Sequence, residues 1–276
     1  MMMSELEQNG ETKRVEVTLL RSHAKEMERR TDEVAVEEPL HIFVNGERYA
    51  TILCTPSDRE ALVVGNIISE GLIRGLDEVS EIRPGEGGAY MVRLRDDVDI
   101  LKRLETSSSF KRLILSSCGS VTVWPFSKLI DRINIPRVED TTRFNPQVVS
   151  EGVRNLNVLA RTFRKTGGVH AAALYTSEGN LVAFAEDVGR HNAVDKVIGL
   201  ALQHERSFAG TMVASTGRLT GDIVLKAARM KIPLVASLAA AINSGVEVAA
   251  KTGVTLVGFV RGDRMTIYTS PERVSW

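Results

Sequence analysis

The sequence predicts an α/β protein whose C-terminal part contains a largely parallel sheet and whose N-terminal part is a smaller α+β unit. Beyond residue 210, three apolar runs typical of strands alternate with two segments of helical periodicity. Near-continuous apolar strands in such an alternation indicate a parallel sheet covered by helices. The chain has 276 residues, enough for one large or two smaller domains.

Composition narrows the function classes. Lys plus Arg and Asp plus Glu both number 35, so no overall field attracts nucleic acid or an anionic membrane. The sequence has no stretch of about 18 apolar residues, and its N-terminus lacks a basic region followed by an apolar run. We therefore expect a soluble cytoplasmic protein. The two cysteines, Cys54 and Cys118, are too few for a disulfide framework or a four-thiolate metal site.

The first elements are predicted to be a disordered lead-in and a small domain. Residues 1–30 are expected to be largely a disordered tail and lead-in, because their start is polar and rich in Glu. Asn45-Gly46 then predicts a tight hairpin between two strand-like runs. Ser57 and Glu60 offer a capping box for the following helix. With two further strand-like runs, at 79–82 and 89–94, the small α+β domain is predicted over residues 31–110.

The larger domain is predicted over residues 111–276. Asn145-Pro146 begins a helix that ends at Thr166-Gly167-Gly168, and two apolar runs around the turn 177–180 then predict a hairpin. In the alternating part, residues 244–247 are predicted as a capping box, and Gly253 as the end of that helix. Three loops follow strands at the same predicted edge: residues 187–192, 216–221 and 259–264.

The first of these loops is the densest polar cluster. Glu186, Asp187, Arg190, His191 and Asn192 surround Gly189 just before a helical pattern. A strand, a polar loop and a helix N-terminus form a place where backbone N–H groups can meet an anion. A helix cap with a surface salt bridge explains the same residues equally well.

The two cysteines differ in their surroundings. Cys54 ends an apolar strand, where a free cysteine usually fills a core. Cys118 lies among Ser and Gly in residues 116–120, where a thiol can be exposed as a nucleophile. Burial in the core remains an equal alternative for Cys118 on these grounds.

The last loop, residues 259–264, places Arg261 and Arg264 around Gly262, so that two guanidinium groups could bind phosphate oxygens. An Arg-rich hairpin turn is the favoured explanation of this loop by itself. A P-loop lysine motif and a G-x-G-x-x-G after a strand are both absent from the sequence, which excludes the ordinary nucleotide fingerprints.

Seven motifs, in order, resemble the FdhD family of formate dehydrogenase accessory proteins over almost the whole chain after the N-terminal tail. They are EEPLHIFVNG, GNIISEGLI, LSSCGS, GGVHAAALY, EDVGRHNAVDK, STGRLTGD and TLVGFVRGDR. The resemblance implies a cytidine deaminase-like fold for the C-terminal domain. It also implies a sulfurtransferase that receives sulfur from a cysteine desulfurase as a persulfide and passes it to the molybdenum cofactor, before this cofactor enters formate dehydrogenase.

The resemblance also implies residue roles and partners. Cys118 matches the persulfide cysteine. Separately from the resemblance, the shared edge of the three loops predicts Arg190, His191 and Arg218 as weaker contributors to an anion site. The resemblance itself implies that the cofactor, bis-molybdopterin guanine dinucleotide, or a guanine nucleotide in its place, binds at one matching segment. That segment consists of Phe259, Val260, Arg261, Gly262, Asp263 and Arg264. A homodimer is expected, without nucleic acid, membrane or resident metal.

The loop after Cys118 departs from the family pattern. Many members carry Cys-Gly-x-Cys-Gly, whereas here Val121 and Thr122 follow Ser120, so Cys118 is expected to act without a second loop cysteine. Two other classes remain as alternatives. A zinc nucleoside deaminase would need more metal ligands and a glutamate where His170-Ala171-Ala172 has Ala172. A non-catalytic cofactor chaperone would use the arginine loops without a reactive thiol.

Overall fold

The structure, a computed structural model, describes residues 10–100, 103 and 137–276. Cys118 and the predicted domain boundary at 110/111 lie outside these residues, so the predictions made for them stay predictions. The described strands are β1 Thr12–Arg21, β2 Glu26–Ala35, β3 Glu38–Val44, β4 Glu47–Cys54, β5 Val79–Pro84, β6 Ala89–Leu94, β7 His170–Thr176, β8 Leu181–Asp187, β9 Thr211–Ser215, β10 Leu234–Ser237, β11 Thr255–Arg261 and β12 Arg264–Thr269. The described helices are α1 Arg59–Ser69, α2 Pro146–Leu159, α3 Arg161–Thr166, α4 Arg190–Gln203, α5 Gly221–Arg229 and α6 Asn243–Thr252.

The predicted α/β class is confirmed by a six-stranded sheet in the order β12-β11-β10-β9-β7-β8. Strands β9, β10 and β11 are parallel, whereas β7–β8 and β11–β12 are antiparallel hairpins. Side chains on alternate positions of β7 enter different clusters, with Ala172 and Leu174 on one face and Ala171 and Ala173 on the other. Helix α2 covers the second face, while α4, α5 and α6 cover the first.

The N-terminal unit is a four-stranded sheet in the order β4-β3-β6-β5, with α1 packed on it. Asn45 (φ 50°) and Gly46 (φ 87°) both have positive φ, which confirms the predicted tight hairpin. The predicted capping box at Ser57 and Glu60 is wrong. Helix α1 begins at Arg59, and Asp58 precedes it in a left-handed conformation without a side-chain cap.

Helices α1 and α4 join the two units at a close crossing. A Cβ on Gly65 would lie 1.8 Å from Asp195 O, and one on Gly199 would lie 1.9 Å from Ala61 O. Only residues without a side chain permit this backbone approach. The crossing makes the core continuous, so that Leu40 of β3 and Val197 of α4 belong to one cluster of buried residues.

The N-terminal region differs from its prediction. Instead of a largely disordered segment up to residue 30, β1 and β2 form an antiparallel ribbon from Thr12↔Ala35 to Arg21↔Glu26. Composition misled the prediction, because alternate Val and Leu residues on β1 fit a pleated strand although the segment is polar overall. The base of the ribbon contacts α3, where Thr162 Oγ1 donates to Glu11 Oε2 at 2.8 Å.

Helix ends in the larger unit match the predictions in part. Asn145 caps α2 by accepting from Gln147 N at 2.8 Å, and Gly253 (φ 72°) ends α6 as predicted. The single helix predicted from Asn145 to Gly167 is interrupted at Ala160 (ψ 85°), so Gly167 (φ 65°) ends the separate helix α3. The capping box at 244–247 is wrong, since Ser244 Oγ accepts from Gly221 N at 3.2 Å. In the described part of the chain, no helix is both long and apolar enough to cross a membrane.

Candidate functional site

All three predicted loops lie at one edge of the large sheet. Strand β7 is antiparallel to both β8 and β9, so β8 runs in the same direction as β9, β10 and β11. The carboxyl ends of these four strands therefore lie along one edge, as the sequence predicts. β8 and β11 are four strand spacings apart, or about 19 Å. The first loop and the last loop are thus separated by roughly the length of a dinucleotide.

Three of the five polar residues around Gly189, namely Glu186, Asp187 and Asn192, make structural contacts. Asp187 is fully buried and accepts from Gly189 N at 2.9 Å and Asn192 Nδ2 at 2.8 Å, and its other oxygen lies 2.8 Å from Lys196 Nζ. Glu186 accepts from the first backbone N–H groups of α3, at Thr162 and Phe163. These residues are therefore structural, but the predicted helix cap with a surface salt bridge is wrong: α4 begins without a side-chain cap, and the Asp187–Lys196 pair is fully buried.

The remaining residues of the first loop face the second loop. The side chain of Arg190 packs on Gly217, where a Cβ would lie 2.7 Å from Arg190 Cβ. Arg190 Nε is buried without a hydrogen-bond partner in the described structure. His191 Nε2 lies against Asp222 Oδ2 at the start of α5. Arg190 and His191 therefore lie where the first two loops meet.

Electrostatics at this meeting point favour an anion. Burial would raise the pKa of Asp222, but the hydrogen bond and charge of His191 hold it well below its usual range. His170, at the start of β7, lies 3.1 Å from Thr216 Oγ1 through Nδ1. Burial, followed by the positive charges of Arg190 and His191, lowers the pKa of His170. Both causes favour the neutral form of the His170 imidazole.

Sequence reasoning missed two residues of this arrangement. Asp222 is not among the predicted site residues, and it pairs with His191. Thr216 connects β9 to His170 and also accepts from Ala171 N at 3.1 Å. Both residues follow the strand end Ser215 closely, which is the one signal that could have identified them. Arg218, which was predicted, is exposed in the same loop.

The third loop is a hairpin tip, as the sequence favoured. Arg261 pairs with Arg264 across Gly262 (φ 60°) and Asp263, and Val260 is buried. Phe259 has a positive φ of 51° and is 43% exposed, with the Arg261 guanidinium carbon 6.0 Å from its ring centroid. Four residues of this loop, Phe259, Arg261, Asp263 and Arg264, line a groove of about 640 Å³ together with Pro146, Met265, Thr266, Ile267, Val274 and Trp276. A hairpin can therefore also present both guanidinium groups and an aromatic ring to one groove.

Of the two cysteines, Cys54 is the one that lies among the described residues. Cys54 is fully buried at the end of β4, and burial followed by the charge of Asp187 raises its pKa to about 11. This confirms its assignment to the core. Among described residues, no group of three His, Cys, Asp or Glu side chains could hold a metal ion. Ala172, where a deaminase glutamate would be needed, is fully buried in the sheet.

Comparisons with known proteins agree with this architecture. The chain is 36% identical over 271 residues to the sulfur carrier protein FdhD of Shouchella clausii, with 98% of each chain covered. It is 38% identical over 258 residues to the sulfur carrier protein FdhD of Anaeromyxobacter dehalogenans, with 88% of each chain covered. A crystal structure of a candidate formate dehydrogenase accessory protein from Desulfotalea psychrophila matches with a TM-score of 0.74 at 26% identity, covering 96% of this chain and 99% of that one. The sequence profile of the FdhD/NarQ family matches residues 35–275, and the chain therefore belongs to this family.

Proposed function

We propose that this chain is a sulfur carrier that receives sulfur on Cys118 from a cysteine desulfurase and passes it to the molybdenum cofactor before this cofactor enters formate dehydrogenase. The observation that carries the proposal is the family match over residues 35–275, together with relatives that are named sulfur carrier proteins. The desulfurase and formate dehydrogenase are the protein partners in this proposal, and we expect the carrier to be a homodimer.

The chemistry requires one accessible thiolate. The chain has two cysteines, and burial and the raised pKa of Cys54 leave Cys118 for this role. The Cys118 thiolate attacks the outer sulfur of the desulfurase persulfide. A new sulfur–sulfur bond forms on Cys118 while the old one breaks, and the desulfurase cysteine leaves as a thiolate. In the second transfer, an electron pair of the acceptor forms the new bond to the outer sulfur, the sulfur–sulfur bond on Cys118 breaks, and Cys118 leaves as a thiolate.

The acceptor in this proposal is bis-molybdopterin guanine dinucleotide. Its phosphates and guanine need cationic and aromatic contacts, and Arg261, Arg264 and Phe259 offer both in one groove. Arg190 Nε, buried and without a hydrogen-bond partner among the described residues, offers a further donor at the other end of the sheet edge. The separation of about 19 Å between β8 and β11 suits a long ligand with several phosphate charges. His191 and Arg218 are secondary contributors.

The test is peptide mass spectrometry after incubation with a cysteine desulfurase and L-cysteine. We expect one added sulfur atom on Cys118 and none on Cys54, and loss of formate dehydrogenase maturation in Cys118→Ser. Cys54→Ala is the matched control and should load normally. Sulfur found only on Cys54 would contradict the proposal. Full maturation by Cys118→Ser would instead support the alternative, a cofactor chaperone without a reactive thiol.

A further inference from the structure

Strand β7 begins with a histidine whose ring contacts a hydroxyl group of the second loop. His170 Nδ1 lies 3.1 Å from Thr216 Oγ1. Two backbone contacts fix the position of Thr216, since its N donates to Ala171 O at 3.0 Å and its Oγ1 accepts from Ala171 N at 3.1 Å. These contacts continue the pairing of β7 with β9 by one residue. The sheet itself therefore holds the Thr216 hydroxyl against the imidazole.

The hydrogen of the Thr216 hydroxyl has two acceptors within reach among the described residues. One is His170 Nδ1 at 3.1 Å, and the other is Ala171 O at 3.4 Å. The second distance is longer than the usual range of about 2.5 to 3.0 Å for a hydroxyl donor and an oxygen acceptor. Ala171 O also accepts from Thr216 N already. The hydroxyl therefore donates to Nδ1, and a neutral imidazole that accepts at Nδ1 carries its proton on Nε2.

The surroundings of His170 favour this neutral form and leave Nε2 free. Burial, followed by the charges of Arg190 and His191, lowers the pKa of His170, whereas Asp187, its pairing partner on β8, raises it. His170 is half-buried, and its Nε2 reaches solvent without a hydrogen-bond partner in the described part of the chain. Nε2 thus offers an N–H donor at the sheet edge where the first two loops meet.

We infer that Thr216 is a positioning residue: it holds His170 as the Nε2–H tautomer, so that Nε2–H donates a hydrogen bond to a phosphate group bound where the first two loops meet. Arg190 Nε, buried and without a partner among the described residues, is a second N–H donor at this place. A ring protonated on Nδ1 would instead direct a lone pair from Nε2 toward the phosphate oxygens, which repels them. The inference rests on the proposed binding of a phosphate-bearing cofactor at this edge, and it adds Thr216 and His170 to that site.

The first experiment is NMR spectroscopy of the full chain with isotope-labelled histidine nitrogens. A protonated and an unprotonated ring nitrogen have different chemical shifts, so the spectrum shows the tautomer directly, and the signals that disappear in His170→Gln identify this ring. We expect the Nε2–H tautomer in wild type and in Thr216→Ser, which keeps the hydroxyl. Thr216→Val has a similar shape without the hydroxyl and should show a mixture of both tautomers. A wild-type ring protonated on Nδ1, or the same tautomer in Thr216→Val, would overturn the inference.

The second experiment titrates inorganic pyrophosphate and follows the His170 signals themselves. We expect the Nε2–H signal to shift, and Thr216→Val to raise the dissociation constant about three- to tenfold because one hydrogen bond is lost. Thr216→Ser should restore the affinity to within about twofold of wild type. Circular dichroism checks that both variants are folded. His170 signals that do not respond to pyrophosphate, or equal affinities of wild type and Thr216→Val, would contradict the inference.

Two substitutions of His170 test the tautomer without changing Thr216. The amide nitrogen of Gln reaches the position of Nε2, whereas that of Asn reaches the position of Nδ1. Calorimetry with pyrophosphate in an Arg264→Ala background, which weakens the third loop as a competing site, should therefore show stronger binding by His170→Gln than by His170→Asn. Equal affinities would overturn the inference. Persulfide loading of Cys118, and guanine nucleotide binding that depends on Arg264, test the proposed function separately.

Discussion

The interface between α1, α4 and α5 and the sheet edge where β8 to β11 end both contain charged residues from the motif at 186–196, but they use charge differently. At the interface, Lys226 Nζ lies 2.8 Å from Asp195 Oδ1 and 2.7 Å from Glu70 Oε1, and all three side chains are largely buried. At the edge, Arg190 and His191 face neighbouring loops. One motif thus supplies both structural ion pairs and candidate ligand contacts: Asp195 and Lys196 have buried partners of opposite charge, whereas Arg190 Nε is buried without a hydrogen-bond partner among the described residues.

The largest difference between the buried interface and the sheet edge is expected when Lys226 is substituted. Lys226→Met should lower the free energy of unfolding by about 3 to 5 kcal/mol, because it removes the cation that pairs with the buried carboxylate of Asp195. Urea denaturation measures the change. Lys165→Met is the control, since Lys165 is exposed, and should change stability by less than about 0.5 kcal/mol. Equal small effects would mean that the buried network is not important for stability.

A second change affects the same interface without changing charge. Gly199→Ala places a methyl group 1.9 Å from Ala61 O, so α1 and α4 must separate, and we expect a loss of about 2 to 3 kcal/mol. Gly152→Ala is the matched helical control. Its methyl group would lie 2.4 Å from the end of the flexible Met212 side chain and 3.3 Å from the Tyr175 ring, with no backbone atom as near, and should cost about 1 kcal/mol or less. Thermal unfolding of both variants tests whether the close crossing is required.

At the edge, charge should affect binding rather than stability. Arg264→Ala should weaken binding of a guanine nucleotide by ten- to a hundredfold, or about 1.5 to 3 kcal/mol, with unfolding unchanged. Arg264→Lys should recover only part of the affinity, because an ammonium group lacks the planar fork of a guanidinium. Calorimetry at fixed salt measures all three proteins. Equal affinities would leave this loop as a hairpin without a ligand role.

The smallest effect is expected at Asp222, which belongs to both regions. Asp222→Asn should cost about 1 to 2 kcal/mol at pH 7, because the side chain pairs with His191 at the edge. The pKa of Asp222 is lower in the folded than in the unfolded chain, so its contribution is present above about pH 4 and is lost as pH falls. The difference between wild type and variant should therefore shrink at acidic pH. A constant difference would contradict this assignment.

Short sequence patterns predicted the fold correctly where a residue type or an apolar alternation fixes the backbone conformation. Asn45-Gly46 and Gly253 require positive φ, and alternating apolar runs identified the parallel strands. The ribbon was missed because a polar composition obscured its alternate Val and Leu residues. Contacts between distant segments were also missed, since no spacing shows that Lys226 meets Glu70 or that Asp222 meets His191. The position of the three loops at one edge was predicted, because the carboxyl ends of parallel strands lie at the same edge of a sheet.

The crossing of α1 and α4 has a consequence for fragment work. Neither unit should be obtainable by cutting the chain between residues 94 and 146, because each fragment would expose half of a tightly fitted helix pair. The N-terminal fragment would present Leu62 and Ile67 to water, and the C-terminal fragment would retain Asp195 and Lys226 without Glu70. Expression trials and antibody epitopes for this protein are therefore better based on the whole chain.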